Sequence, residues 1–113
     1  MPFINTKYSS DITAAQEQEL KSALGSAISI LGKSESWLML GFEQNCSLYF
    51  RGEKSEKMAF IEVSLLGDAP KSSYDSFTAE LCGIYNKVLG VPEDKIYIKY
   101  SPTSVWGWNG GNF

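Results

Sequence analysis

A chain of 113 residues, 43% hydrophobic and 20% charged, is large enough to bury a core and predicts a single soluble globular domain. Its net charge of −3, with Arg51 the only arginine, argues against nucleic-acid binding, and no apolar run is long enough for a membrane span. Histidine is absent, which removes Ser–His and Cys–His pairs and ordinary His-containing zinc sites, so acid–base chemistry falls to carboxylates, Lys, Tyr or the amino terminus.

Met1-Pro2-Phe3-Ile4-Asn5-Thr6 opens the chain. Proline has a fixed φ and no backbone donor, so it suits the first residue of a strand, here expected over Phe3–Lys7. Read alone, Pro2 merely starts an edge strand. If Met1 is removed, it becomes a free secondary amine, and modest desolvation or a nearby cation makes such an amine a neutral general base at pH 7. With Met1 attached it is an amide and no base at all. The start lacks a basic region followed by an apolar core, so no signal peptide is expected. Cys46 and Cys82 lie far apart and in no CxxC, so both are expected to be reduced and structural. These features suggest the cytoplasm, with export lacking a signal peptide as the alternative.

Ser9-Ser10-Asp11 breaks the first strand. Thr13 and Gln16 fit a capping box, and Leu20, Leu24, Ala27, Ile28 and Leu31 recur at helical spacing, predicting a helix over 14–31 closed by Gly32. Residues 37–42 are an apolar run of strand length. A short strand is expected over Ser47–Phe50 and a charged loop over Gly52–Lys57. Met58–Leu66 is a strong strand pattern, ended by Gly67-Asp68-Ala69-Pro70. Tyr74, Phe77, Leu81, Ile84, Tyr85 and Val88 predict a second helix over 73–89, stopped by Gly90. Lys95–Tyr100 alternates as a strand, Ser101-Pro102-Thr103 reads as a turn, and the tail from Val105 is aromatic and Gly-rich.

The two halves repeat. Leu31-Gly32-x-x-Glu35-x-x-Leu38 matches Leu89-Gly90-x-x-Glu93-x-x-Ile96 at a constant offset, dividing the domain into units of about 1–57 and 58–113. Two β-α-β units predict an α/β (α+β) fold: a four-stranded mixed sheet with two helices on one face. The opposite face, expected to be mostly apolar, needs a cover, and oligomerisation supplies one. The strand near 48–50 and the aromatic tail are candidates for pairing with neighbouring subunits.

Met1-Pro2-Phe3, Gly32-Lys33, Ser64-Leu65-Leu66-Gly67, Asp94-Lys95-Ile96-Tyr97-Ile98 and the ending Trp106-Gly107-Trp108-Asn109-Gly110-x-x-Phe113 resemble the macrophage migration inhibitory factor family of the tautomerase superfamily, over the full length. The resemblance implies a homotrimer with active sites between subunits. It also implies keto–enol tautomerism of small aromatic 2-oxo acids and dopachrome-like compounds, with no cofactor and no metal. Position by position, it makes Pro2 the base and Lys33 the basic residue beside it. Leu66 becomes a pocket wall that also offers backbone groups. Tyr97 corresponds to the site tyrosine contributed by the adjacent subunit; read from the residues themselves, its phenol could donate to the substrate oxygen, and Lys99, on the same strand face, would add a second cation. Trp37, Trp108 and Phe113 line the mouth. The departures are Ser34 where proline is common, Trp37 where tyrosine is common, Lys99 where asparagine is common, and Lys57–Phe60 in place of a CxxC.

Each of these residues also has a plain structural role. Lys33 suits a helix C-terminus through the dipole. Tyr97 suits cross-strand packing, and Lys99 suits a solvated edge. The tryptophans, Trp106 among them, suit a subunit interface. The leading expectation is a phenylpyruvate- or dopachrome-type tautomerase. The alternatives are a signalling or binding protein on the same scaffold with vestigial catalysis, and a purely structural oligomer.

Overall fold

The computed structural model describes residues 1–113. The first strand, β1 (Pro2–Tyr8), turns Pro2, Ile4, Thr6 and Tyr8 inward and Phe3, Asn5 and Lys7 outward, the alternation that a pleated strand imposes. Helix α1 (Ala14–Ala27) begins at the expected box: the Thr13 hydroxyl accepts from the Gln16 N–H, and the Gln16 side chain accepts from the Thr13 N–H. Strands β2 (Met39–Glu43), β5 (Ala59–Leu66) and β6 (Ile96–Thr103) complete the main sheet, and α2 (Lys71–Leu89) joins the last two. Between β2 and β5 lie β3 (Tyr49–Phe50) and β4 (Glu53–Lys54); after β6 come β7 (Gly107–Trp108) and β8 (Gly111–Asn112). Within the subunit these short strands pair with each other as two hairpins.

The sheet order is β2-β1-β5-β6, with β1 parallel to β2, β5 parallel to β6, and the central pair antiparallel. Both helices cover one face. Ile4, Ile61 and Val63 meet Leu20, Leu24, Ile28, Phe77 and Leu81 there, all fully buried. Each such side chain contributes roughly 1.5–3 kcal/mol by leaving water. The buried Thr6 hydroxyl and the Tyr85 phenol share a 2.5 Å hydrogen bond, which satisfies two polar groups inside this core.

Several boundaries differ from expectation. The first helix is α-helical only to Ala27; residues 28–31 tighten into a 3-10 turn. Gly32, at φ 72°, donates back to the Ile28 and Ser29 carbonyls, and this left-handed cap draws the last turn in. Trp37 is not in a strand: Ser34 caps a 3-10 turn over Glu35–Trp37, and β2 starts at Met39. The charged loop at 52–57 contains β4. The second helix starts earlier, at Lys71, with Pro70 as a cap whose side chain offers no hydrogen bond. Ser101-Pro102-Thr103 is not a turn but the end of β6, which tolerates Pro102 because it is the edge strand of the sheet.

The face opposite the helices is mixed rather than mostly apolar. Register places Gly41, Asn5, Glu62 and Lys99 in one row across it, with Met39, Phe3, Ser64 and Ser101 in the next. The Asn5 amide donates to Glu43 at 2.7 Å on this face. Apolar alternation in β5 marks only the helix-covered side.

Candidate active site

The start of β1 is held by the end of β5. Pro2 pairs with Leu65 in the antiparallel ladder, and the Leu66 N–H donates to the Met1 carbonyl at 3.1 Å. Pro2 itself is buried. Lys33 follows the Gly32 cap, so the reversal that ends the first helical segment throws its side chain back toward the sheet. There the Lys33 ammonium donates to the Leu66 carbonyl at 2.7 Å. Partial burial and the Lys33 charge together push the amino terminus below the ordinary range of an α-amine. Both effects disfavour the charged amine, the first by removing water and the second by like-charge repulsion.

Aromatic residues wall this end. Trp37 lies just before β2, which runs parallel to β1, so register puts it beside the chain start. Its ring meets Trp108 edge-on at 5.0 Å, and Phe113 stacks on Trp108 at 6.0 Å. Half or more of the Trp108 and Phe113 surfaces remain exposed, at 52% and 58%, so the rings form an open shelf rather than core. Trp106 is half-buried, and its carbonyl accepts from the Phe113 N–H, which closes the tail hairpin.

Pro2, Lys33, Leu66, Trp37, Trp108 and Phe113 therefore gather at one end of the sheet. Tyr97 and Lys99 do not join them. Tyr97 pairs with Phe60 at the opposite end of β5, five residues from Leu65, or roughly 17 Å along the strand. It meets Phe50 edge-on at 5.1 Å and lines a cavity of about 100 Å³ with Leu48, Tyr49, Met58 and Lys95. Lys99 is exposed and lies opposite Glu62 on the open face. Within this chain, the amine and Tyr97 lie at opposite ends of the sheet. Phe50, the partner of Tyr97, carried no signal in sequence beyond its place in the short strand.

Sequence reading named Leu66 as a pocket wall and Gly67-Asp68 as the strand's end, but not the bonds that hold residues 67–68. The Gly67 N–H donates to the Thr103 carbonyl at 2.7 Å, and Asp68 accepts from the Ala69 N–H and the Tyr74 hydroxyl. Cys46 and Cys82 are free and partly buried, and burial pushes the Cys82 thiol up. No three His, Cys, Asp or Glu side chains are grouped as a metal site would need, and no helix is long and apolar enough to cross a membrane.

The sequence matches the family model described as "Macrophage migration inhibitory factor (MIF)" over residues 1–113. The chain belongs to the macrophage migration inhibitory factor family. Among solved structures, this family member is similar to Leishmania major MIF2, with 30% identity, 100% of this chain and 97% of that one covered, and a TM-score of 0.93. It is also similar to the macrophage migration inhibitory factor homologue of Prochlorococcus marinus, with 29% identity, 98% of each chain covered and a TM-score of 0.87. The wild-type symmetric trimer of fused 4-OT, at 18% identity and a TM-score of 0.84 over 96% of this chain and 93% of that one, shares the tautomerase fold. No curated protein matches the chain by sequence.

Proposed function

We propose that this family member is a keto–enol tautomerase whose general base is the amine of Pro2, freed by removal of Met1. The observation that carries the reading is the place of Pro2 at the start of β1, paired with Leu65, while the next residue, Leu66, holds the Lys33 ammonium on its carbonyl. A base works best when its pKa lies near the working pH, and a secondary amine lowered by desolvation and a neighbouring cation meets that need. It would take the proton beside a substrate carbonyl and return it to a position along the conjugated system. Lys33 would attract the carboxylate of a small aromatic 2-oxo acid of the phenylpyruvate type, or of a dopachrome-like compound. The Trp37, Trp108 and Phe113 shelf suits its ring.

The reading includes a homotrimer. Tyr97 pairs at the far end of β5 and Lys99 near its middle, so the reading needs a neighbouring copy to bring them to Pro2. A symmetric trimer on the same fold supports that assembly. The phenol would then donate to the substrate oxygen, and Lys99 would add positive charge.

Intact mass and turnover on the same sample test the mechanism. Protein confirmed as starting at Pro2 should tautomerise hydroxyphenylpyruvate, while Met1-retained protein should lose roughly 10²–10⁴-fold, the usual contribution of a positioned base. Equal rates from the two forms would overturn it. Sedimentation equilibrium tests the assembly separately; a monomer at micromolar concentration would overturn the trimer.

A further inference from the structure

Lys33 affects the amine only if its flexible side chain is held in place, and what holds it is a backbone carbonyl at the very end of β5. The Leu66 carbonyl accepts from Lys33 at 2.7 Å, so the position of residues 66–68 sets the position of the charge. Two bonds tie the Leu66–Gly67 segment to its neighbouring strands: Leu66 N–H to Met1, at 3.1 Å, and Gly67 N–H to Thr103, at 2.7 Å. Removing Met1 deletes the first. The processed chain therefore keeps the Gly67 tether on the β6 side and whatever secures the turn toward α2.

That second anchor is Asp68. Its Oδ1 accepts from the Tyr74 hydroxyl at 2.5 Å and from the Ala69 N–H at 2.8 Å. Helix α2 has no side-chain cap, and this carboxylate instead fastens the segment before Pro70 to the Tyr74 side chain in the first turn of the helix. Tyr74 is itself fixed. Its ring packs on Tyr100 at 4.7 Å, and the Tyr100 hydroxyl bonds Thr78 at 2.7 Å and the Tyr74 carbonyl at 3.3 Å. A continuous set of contacts thus runs from β6, through Tyr100, Tyr74 and Asp68, to the turn that follows the Leu66 carbonyl.

We infer that Tyr74, acting through Asp68, is a positioning residue that keeps the Lys33 ammonium beside the amine once Met1 has gone. The inference rests on Pro2 being the base of this site. The charged side chains next to the elements that end near the amine are Lys33 after α1, Glu35 before β2 and Asp68 after β5. After desolvation, Lys33 is the charge that lowers the α-amine of Met1, and with Met1 gone the same charge would act on the Pro2 amine, so loosening its anchor should raise the pKa of that amine.

The test is direct titration of the Pro2 amine by NMR in the processed protein, alongside the acid limb of kcat/KM. Tyr74→Phe keeps the ring stack but loses the hydroxyl, and should move the titration upward by about half a unit or more. Asp68→Ala should do the same. Asp68→Asn keeps an acceptor oxygen and should restore the wild-type titration. In a Lys33→Ala background, Tyr74→Phe should add nothing. An unchanged titration in both Tyr74→Phe and Asp68→Ala, whatever happens to Tm, would overturn the inference. So would Asp68→Asn behaving like Asp68→Ala, because charge alone would then be at work. A titration that moves while the acid limb of turnover stays put supports the positioning role and instead removes Pro2 as the base.

Discussion

The two ends of the sheet are built on one plan but do different things. Gly32 and Gly90 cap their helices at φ 72° and 73°, and each is followed by a 3-10 turn that opens on a glutamate, Glu35 or Glu93. The β3–β4 hairpin turns through Arg51 and Gly52, at φ 53° and 82°, and the β7–β8 hairpin turns through Asn109 and Gly110, at 51° and 83°. All of these pairs stand at the same sequence separation. Trp108 thus takes in the second hairpin the place that Phe50 takes in the first, and Phe60 takes in β5 the place that Pro2 takes in β1. The chemistry does not repeat. Phe60 lies within the chain and has no free amine to offer. The counterpart of Lys33 is Val91, which is fully buried, so one copy of the junction reaches out to a carbonyl while the other fills the core. The scaffold is duplicated, while the proposed mechanism uses an amine that Pro2 could offer and Phe60, inside β5, could not.

The comparison can be broken at either end. The largest expected effect is at Pro2. Pro2→Gly keeps a primary amine but loses the ring, so kcat/KM should fall, yet by less than the roughly 10²–10⁴-fold cost of blocking the amine altogether. A smaller loss from blocking than from Pro2→Gly would show that the ring, not the amine, matters. Next comes Val91→Lys, which places the lysine of the first junction in the second. With no partner for a buried charge there, stability should drop by roughly 3–5 kcal/mol, read by denaturant unfolding. A near-neutral result would mean that the two junctions are interchangeable.

Lys33→Ala should have an effect that depends on pH and substrate. The Lys33 charge adds to desolvation in lowering the Met1 α-amine; acting likewise on the proposed Pro2 base, its loss should raise the apparent pKa of that base. Turnover should fall most on the acid side and recover as pH rises above that pKa. Binding of carboxylate substrates should weaken more than that of their esters; an equal loss on both would reduce Lys33 to a helix-end residue. The smallest effect is expected at Gly25, in α1. A Cβ there would run into the Glu35 carboxylate, but Glu35 is exposed and its side-chain end can swing away. Gly25→Ala should therefore stabilise the protein by up to about 1 kcal/mol through helix propensity, raising Tm without changing turnover. A fall in activity would instead tie the Glu35 turn to the placement of Lys33 or Trp37.

Burial also sets a stability window at the core. The Tyr85 phenol is pushed far above the ordinary tyrosine range by desolvation, with the Thr6 hydrogen bond working slightly against that. A raised pKa means that the folded state holds the proton more tightly. The stability this contributes is present at neutral pH and declines as pH rises past the ordinary tyrosine range, where the unfolded chain ionises first.

Local chemistry alone determined much of this protein. Thr13 with Gln16 fixed the start of α1, and Gly32 and Gly90 fixed the two left-handed caps, because hydroxyl capping and positive φ need no distant partner. Helical spacing and strand alternation gave two helices and the central strands, and the matching junctions gave the duplicated plan. Other features depended on long-range pairing. The antiparallel register of β1 on β5 brings Met1 to Leu66 and lets Lys33 reach the same residue from 33 positions away. An edge position, invisible in the sequence, lets β6 run on through Pro102. The open face became polar at its centre because the sheet order sets Asn5, Glu62 and Lys99 in one row. The separation of Tyr97 from Pro2 follows from the same register, since strand spacing is rigid and residues paired with opposite ends of β5 cannot meet within one chain.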